Sequence, residues 1–228
     1  MGNNYTITVQ NRSGANSHYT FVAEKPNVTN VNQSQVQSIV LATAASVPES
    51  GTAKLSIGSQ YQAIVATYSG RPENGVQVEV AEKKKVDLGR RVADGTVARG
   101  TTVTLGVFDG SPQFLGDRAG AAEVNSFAVE TSTGWTLSEA VNNHWAIGVG
   151  GADGHPIATF TPEPGRRYRI EPSLKYWVAP VDCVRGTIVD MDVLYNSVQV
   201  DFTNSPERVT IVHDQQGNMR VSNDSNDD

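Results

Sequence analysis

The sequence predicts an all-β protein, an antiparallel β-sandwich with very little helix. Three observations predict it. Apolar and polar residues alternate with period two in many short segments, such as Tyr5, Ile7 and Val9 against Thr6, Thr8 and Gln10. These segments recur at a spacing of roughly 8–15 residues, with Gly, Asn and Pro between them. Long stretches of helical periodicity are scarce, so βαβ units are not expected. The reading is a single β domain over residues 1–222, followed by an acidic disordered tail at 223–228. Two alternatives stay open: two related β halves, residues 1–108 and 123–222, joined by a long connection, or a barrel-like closure.

Taken in order, residues 5–10 make the first half-buried strand. Asn11 to Asn16 supplies a turn, and Tyr19 to Ala23 returns until Pro26 stops it. Residues 27–50 are rich in Asn, Gln, Ser and Val and predict one strand near Ile39 to Leu41 between loops. Ala53, Leu55 and Ile57 alternate again. Tyr61 to Tyr68 is apolar on both faces, as a central strand covered on both sides would be. The stretch 69–75, with Pro72 and the pair Asn74-Gly75, must turn. Strand patterns follow at Val76, Val78 and Val80 and at Val103, Leu105 and Val107. The lysines 83–85 then predict a solvated edge strand, on which lysine discourages edge-to-edge pairing.

Residues 109–122 carry Gly110, Gly116 and Gly120 and are expected to break the β pattern as a long connection. Phe127 and Val129 open the second half. Thr136 to Glu139 fits a capping box, which predicts one short helix at 137–142. Trp145, Ile147 and Val149 alternate, and residues 144–154 loosely echo residues 61–70. Further strands are predicted at Tyr168 and Ile170, at Leu174, Tyr176 and Val178, over Val189, Met191, Val193 and Tyr195, at Val198, Val200 and Phe202, at Val209, Ile211 and His213, and over Met219 to Val221.

Composition narrows the function classes. The chain of 228 residues needs no staple, since a domain near this size buries about 70% of its unfolded surface. Its net charge of −6 argues against a phosphate-tracking surface, so no nucleic-acid partner is expected. The single Cys183 permits no intrachain disulfide, which leans toward a reducing compartment. With no apolar leader at its start and no run long enough to span a bilayer, the expectation is a cytoplasmic protein without a membrane partner.

The stretch from Trp135 to Pro180 concentrates chemistry. It holds all three tryptophans, His144 and His155, and a Gly-rich turn. The candidate ligand-binding residues are Trp135, Trp145, Tyr176 and Trp177, because aromatic faces stack on sugar C–H groups or planar ligands. The candidate proton-transfer groups are His144, Asp153 and His155. Asp190 and Asp192 join them, two carboxylates that would share one face of a strand. Metal ligation by His144, Asp153 and His155 would need a hairpin that brings both imidazoles together, and without ligand spacing no metal is expected. No Gly-x-Ser-x-Gly elbow, P-loop or dinucleotide fingerprint occurs, so no cofactor is expected.

Three functions fit. The first is a soluble module that binds a glycan or an apolar small molecule at an aromatic-lined site. The second is a cofactor-independent isomerase, cyclase or lyase that acts on a small metabolite in a β pocket. Positioning alone can carry such chemistry. The third is a structural or assembly protein, a homo-oligomer joined by exposed edge strands.

Overall fold

The computed structural model describes residues 4–222. The tail at 223–228 lies outside the described residues. The first half forms β1 (Asn4–Asn11), β2 (Ser17–Ala23), β3 (Asn27–Val28), β4 (Gln37–Ser38), β5 (Val40–Val47), β6 (Thr52–Gly58), β7 (Tyr61–Tyr68), β8 (Val78–Val86), β9 (Arg90–Arg91), β10 (Val97–Ala98), β11 (Gly100–Phe108) and β12 (Ser111–Ala122). After it come β13 (Phe127–Thr131), α1 (Leu137–Asn142), β14 (Trp145–Gly150), β15 (Pro156–Phe160), β16 (Arg167–Glu171), β17 (Lys175–Ala179), β18 (Val198–Asp201), β19 (Arg208–His213) and β20 (Met219–Val221). Helix is confined to α1 and two 3-10 turns among the described residues, so the protein is all-β. No helix among them is long and apolar enough to cross a membrane.

Four sheets and a small β9–β10 ribbon organise these strands. The first sheet runs β20-β19-β1-β6 and the second β18-β17-β2-β5. The third runs β4-β15-β14-β7-β8 and the fourth β12-β11-β13-β16-β3. Pairing is antiparallel except between β1 and β19 and between β11 and β13. The alternation in β1 turns Tyr5, Ile7 and Val9 inward. They join one apolar cluster with Phe21 and Tyr176 of the second sheet, Val65 and Ile147 of the third, and Phe127 and Ile170 of the fourth. The second and third sheets are covered on both faces. Val22, Val40 and Ala179 form a cluster on the far side of one; Ala66, Tyr68 and Ala146 do so on the far side of the other. This is why β7 reads as apolar throughout.

Local signals act as the residue types require. In the first turn the Asn11 amide donates to the carbonyls of Ala15 and Val47, both at 2.8 Å, while its oxygen accepts from the Ser13 N–H. Thr136 caps α1: its hydroxyl accepts from the Glu139 N–H at 3.2 Å, and the Glu139 carboxylate accepts the Thr136 N–H at 2.7 Å. Trp135 and Ala140 stand at the flanking positions of a hydrophobic staple, and both are buried in the main cluster. The lysines 83–85 lie on β8, an edge strand, as expected.

Two expectations are corrected. Residues 109–122 are not a connection. Asp109 and Gly110 make a hairpin tip, and β12 pairs with β11 from Phe108–Ser111 to Gly100–Ala122. An edge strand tolerates the residues that suggested a break: Pro112 needs no partner on the outer side, and Leu115 lies over Gly106, which has no side chain to exclude it. The alternating stretch 189–195 is not a strand. Ile188 makes a lone bridge to Ile39, and Met191–Val193 then winds into a 3-10 turn. Its apolar demand is met by Val189 and Leu194, which pack into the second sheet's outer cluster.

Candidate functional site

The third and second sheets meet the first around one concavity of about 270 Å³. It opens where β5 and β6 diverge. These strands follow each other through a turn at 48–51, yet each is the edge of a different sheet. Leu41 and Ala42 of β5, Leu55 and Ile57 of β6, and Ile157 of β15 make the walls, while Tyr61 and Tyr176 line it from β7 and β17. Apolar walls with a few converging polar groups are the usual composition of a small-molecule site, and this volume falls just below the usual range.

The two phenols are held by packing. Tyr176 is 1% exposed and meets Phe202 edge-to-face at 5.9 Å, and Phe202 lies 4.7 Å from the ring of Tyr5. Burial, reinforced by Tyr5, pushes the Tyr61 hydroxyl up to about 12; the Tyr176 hydroxyl beside it pulls the other way. Burial drives Tyr176 higher still, with Tyr61 and Tyr5 adding to the effect. Both phenols therefore stay protonated at neutral pH. They can orient an oxygen of a ligand but cannot act there as bases.

The rim is polar and comes from the β14–β15 hairpin. Its turn closes with the Gly154 N–H on the Gly151 carbonyl at 2.9 Å, and Gly154 takes a φ of +80°, a left-handed conformation that glycine adopts without strain. The turn sets Asp153 at the centre of the rim. Its carboxylate lies 3.5 Å from the Arg185 guanidinium and 3.7 Å from Nε2 of His155, and it accepts the His155 N–H at 3.1 Å. Arg185 is fixed from the other side by donating through Nε to the Leu41 carbonyl at 2.9 Å. The Gln62 amide holds the hairpin by donating to the Ala152 carbonyl at 3.0 Å. Beyond this rim lies a broader, more polar depression of about 610 Å³ that shares Asp153, His155 and Arg185.

The predicted site residues separate into groups. Asp153, His155 and Tyr176 come together at the concavity, with the 151–154 turn. His144 does not. It precedes β14 at the opposite end of a six-residue strand, about 20 Å of extended chain from the turn, and its carbonyl accepts from the Tyr68 N–H. No group of three or more His, Cys, Asp or Glu is gathered as metal ligands among the described residues. Trp135 and Trp145 do not form a platform: they are 6% and 5% exposed and pack edge-to-face at 5.8 Å inside the core. Trp177 faces away from Tyr176, half-buried against the outer cluster that also receives Cys183 and Met191. Asp190 caps the start of the 3-10 turn and Asp192 lies within it; the Asp190 N–H donates to the Asn74 side chain at 3.1 Å. They share no strand face.

Sequence reasoning missed Arg185, Tyr61 and the β5–β6 residues. Tyr61 reads as strand core, Leu55 and Ile57 as ordinary alternation, and Arg185 belongs to no pattern at all. No local pattern distinguishes a residue at a seam between sheets from one inside a sheet.

Compared with known families, residues 2–224 match the family model described as RhiA. No curated protein and no solved structure matches the chain.

Proposed function

The chain belongs to the RhiA family, and from the geometry we propose that it binds an apolar small molecule with one polar or anionic end in the concavity between β5 and β6. One observation carries the reading: a well-walled apolar space has two protonated phenols on its lining and a fixed Asp153–His155–Arg185 rim at its mouth. The apolar part would lie against Leu41, Leu55, Ile57 and Ile157. Its polar end would reach the rim, where a guanidinium is the stronger partner for an anion. A glycan is the weaker choice, because Trp135 and Trp145 offer no open face for stacking. The single half-buried Cys183 supports a cytoplasmic setting for this binder.

The test uses the fluorescent probe 1-anilinonaphthalene-8-sulfonate, an apolar ring system with one anionic group, titrated into the folded protein. Saturable binding is expected. Ala42→Trp, which fills the space from its mouth, should weaken it about tenfold or more, and Arg185→Gln by a smaller factor. Equal dye binding by wild type and Ala42→Trp, both shown folded by their melting curves, would refute the site. Saturable binding of an oligosaccharide such as maltohexaose in place of the dye would move the reading to a glycan.

A further inference from the structure

A second site stands on the outer face of the fourth sheet, away from the concavity between β5 and β6. The inner face of this sheet carries Val103, Leu105, Val129, Tyr168 and Ile170, all buried in the core. Period-two geometry then puts Thr102, Ala128, Glu130, Arg167 and Arg169 on the outer face. The register makes a row across it. Arg118 pairs with Thr102, Thr102 with Ala128, and Ala128 with Arg169, each on neighbouring strands. Glu130 pairs with Arg167 in the next row.

Ala122 and Ala128 have side chains too short to fill the space between the long ones. They floor a concavity of about 360 Å³ whose walls are Arg99, Arg167, Arg169 and Glu123, with Thr29 and Asn30 at one side. That side is locked to β16. The Arg169 N–H donates to the Thr29 hydroxyl at 3.0 Å, and the Asn30 amide donates to the Arg167 carbonyl at 2.8 Å. The arginines are thus set on a rigid strand.

Charge and hydrogen-bonding capacity both remain in excess. Arg169 pairs with Glu123; Glu130 lies 2.7 Å from Arg118 and 3.6 Å from Arg167. Among the described residues, the lining of the concavity itself carries three guanidiniums, those of Arg99, Arg167 and Arg169, and one carboxylate, that of Glu123, in a protein whose net charge is −6. Two buried polar atoms beside this floor have no hydrogen-bond partner among the described residues, the Arg169 Nε and the Thr102 hydroxyl. They belong to the residues that flank Ala128 on either side. Buried polar atoms without partners are uncommon and call for an explanation.

We propose that this arginine-lined concavity over Ala128 binds the oxyanion of a phosphorylated or sulfated small molecule. The local excess of two positive charges matches a phosphate monoester dianion. Guanidiniums offer it the forked N–H geometry that phosphate and sulfate oxygens accept best. Glu123 is the gate: its carboxylate occupies Arg169 and must yield part of that guanidinium to the incoming anion. Its side chain is 71% exposed, so it can swing into solvent without leaving a buried charge.

The experiment is calorimetric titration of the whole chain with inorganic phosphate, sulfate and glucose 6-phosphate, with chloride at matched ionic strength as the reference. Phosphate and sulfate should bind saturably where chloride does not. Arg99→Gln, an exposed position that leaves the fold alone, should weaken phosphate about tenfold or more. Glu123→Gln should do the opposite and tighten phosphate, because the competing carboxylate is gone. Arg12→Gln, an exposed arginine engaged with Gln10 elsewhere, is the control and should change nothing. Tighter binding of glucose 6-phosphate than of inorganic phosphate would identify the occupant as an ester; equal binding would identify it as the free anion. Chloride competing as well as phosphate, an unchanged affinity in Arg99→Gln, or weaker phosphate binding in Glu123→Gln would each overturn the site.

Discussion

Replacing Trp145 by alanine separates a packing role from a ligand-binding role. The indole is 5% exposed at the start of β14 and stands edge-to-face with Trp135 at 5.8 Å and an interplanar angle of 73°. Truncating a buried aromatic of this size costs about 3–5 kcal/mol, because the lost transfer energy is joined by a cavity that neighbours refill only in part. For a chain of this length each kcal/mol lowers the melting temperature by roughly 2–4 °C. Trp145→Ala should therefore melt roughly 6–20 °C below wild type. The Trp135→Ala single and the double variant complete a cycle. The double variant should be less destabilised than the sum of the singles by about 0.5–1.5 kcal/mol or more, the value of an aromatic pair plus the shared cavity. Thermal melts followed by circular dichroism give both numbers. Dye titration well below each variant's melting transition gives the binding side, where Trp145→Ala should retain the wild-type affinity. A variant that melts like wild type but loses ligand would refute this reasoning and restore the tryptophans as the binding surface.

Two further outcomes test the fold. His213 is buried, with Nδ1 at 3.0 Å from the Tyr19 hydroxyl, and burial holds its imidazole below the ordinary range against a smaller upward pull from Asp214. The unfolded chain therefore binds the proton first, so stability is complete above about pH 6.5 and declines as pH falls from there toward the folded value; melting temperatures of wild type and His213→Asn between about pH 7.5 and 5.5 should show a decline in the former and a flatter profile in the latter, and equal slopes would count against it. Thr136→Ala removes one arm of the capping box and should cost about 1 kcal/mol by denaturant titration, while a loss under about 0.3 kcal/mol would mean that Trp135 and Ala140 alone hold α1.

How much was legible in the sequence follows from what a sequence pattern records. Period two marks which face of a strand is buried, and β1, β6, β14, β16 and β17 appeared where alternation put them. The capping box is a local hydrogen-bond exchange, so Thr136 and Glu139 announced α1 unaided. The likeness between residues 61–70 and 144–154 has a physical source in the structure: β7 and β14 are antiparallel neighbours in the third sheet, both covered on both faces, and so both are built from aromatic, small and branched apolar residues. Where the pattern was satisfied by something other than a ladder it misled. Val189 and Leu194 bury their side chains from a turn, and β12 keeps its ladder despite Gly116 and Pro112 because an edge needs only one partner.

The two candidate sites show the limit most clearly. The Gly-rich turn at 151–154 stood out because a left-handed glycine and a short polar run are local features. Its partners Leu41, Leu55, Tyr61 and Arg185 did not, because they meet only where two sheet edges part. The same holds over the fourth sheet. Arg167 and Arg169 alternate with Tyr168 and Ile170, which by itself reads as the wet face of an ordinary strand. What changes their meaning is the residue across the ladder. Were Ala128 a long polar residue, it would fill the gap and satisfy the Arg169 Nε, and the row would be a plain ion-pair network. Register, which pairs residues about forty positions apart, turns a common surface pattern into a concave one whose buried polar atoms lack partners among the described residues. A single substitution that fills the gap, Ala128→Gln, should therefore abolish the saturable phosphate binding read by calorimetry, and unchanged binding would count against the concavity.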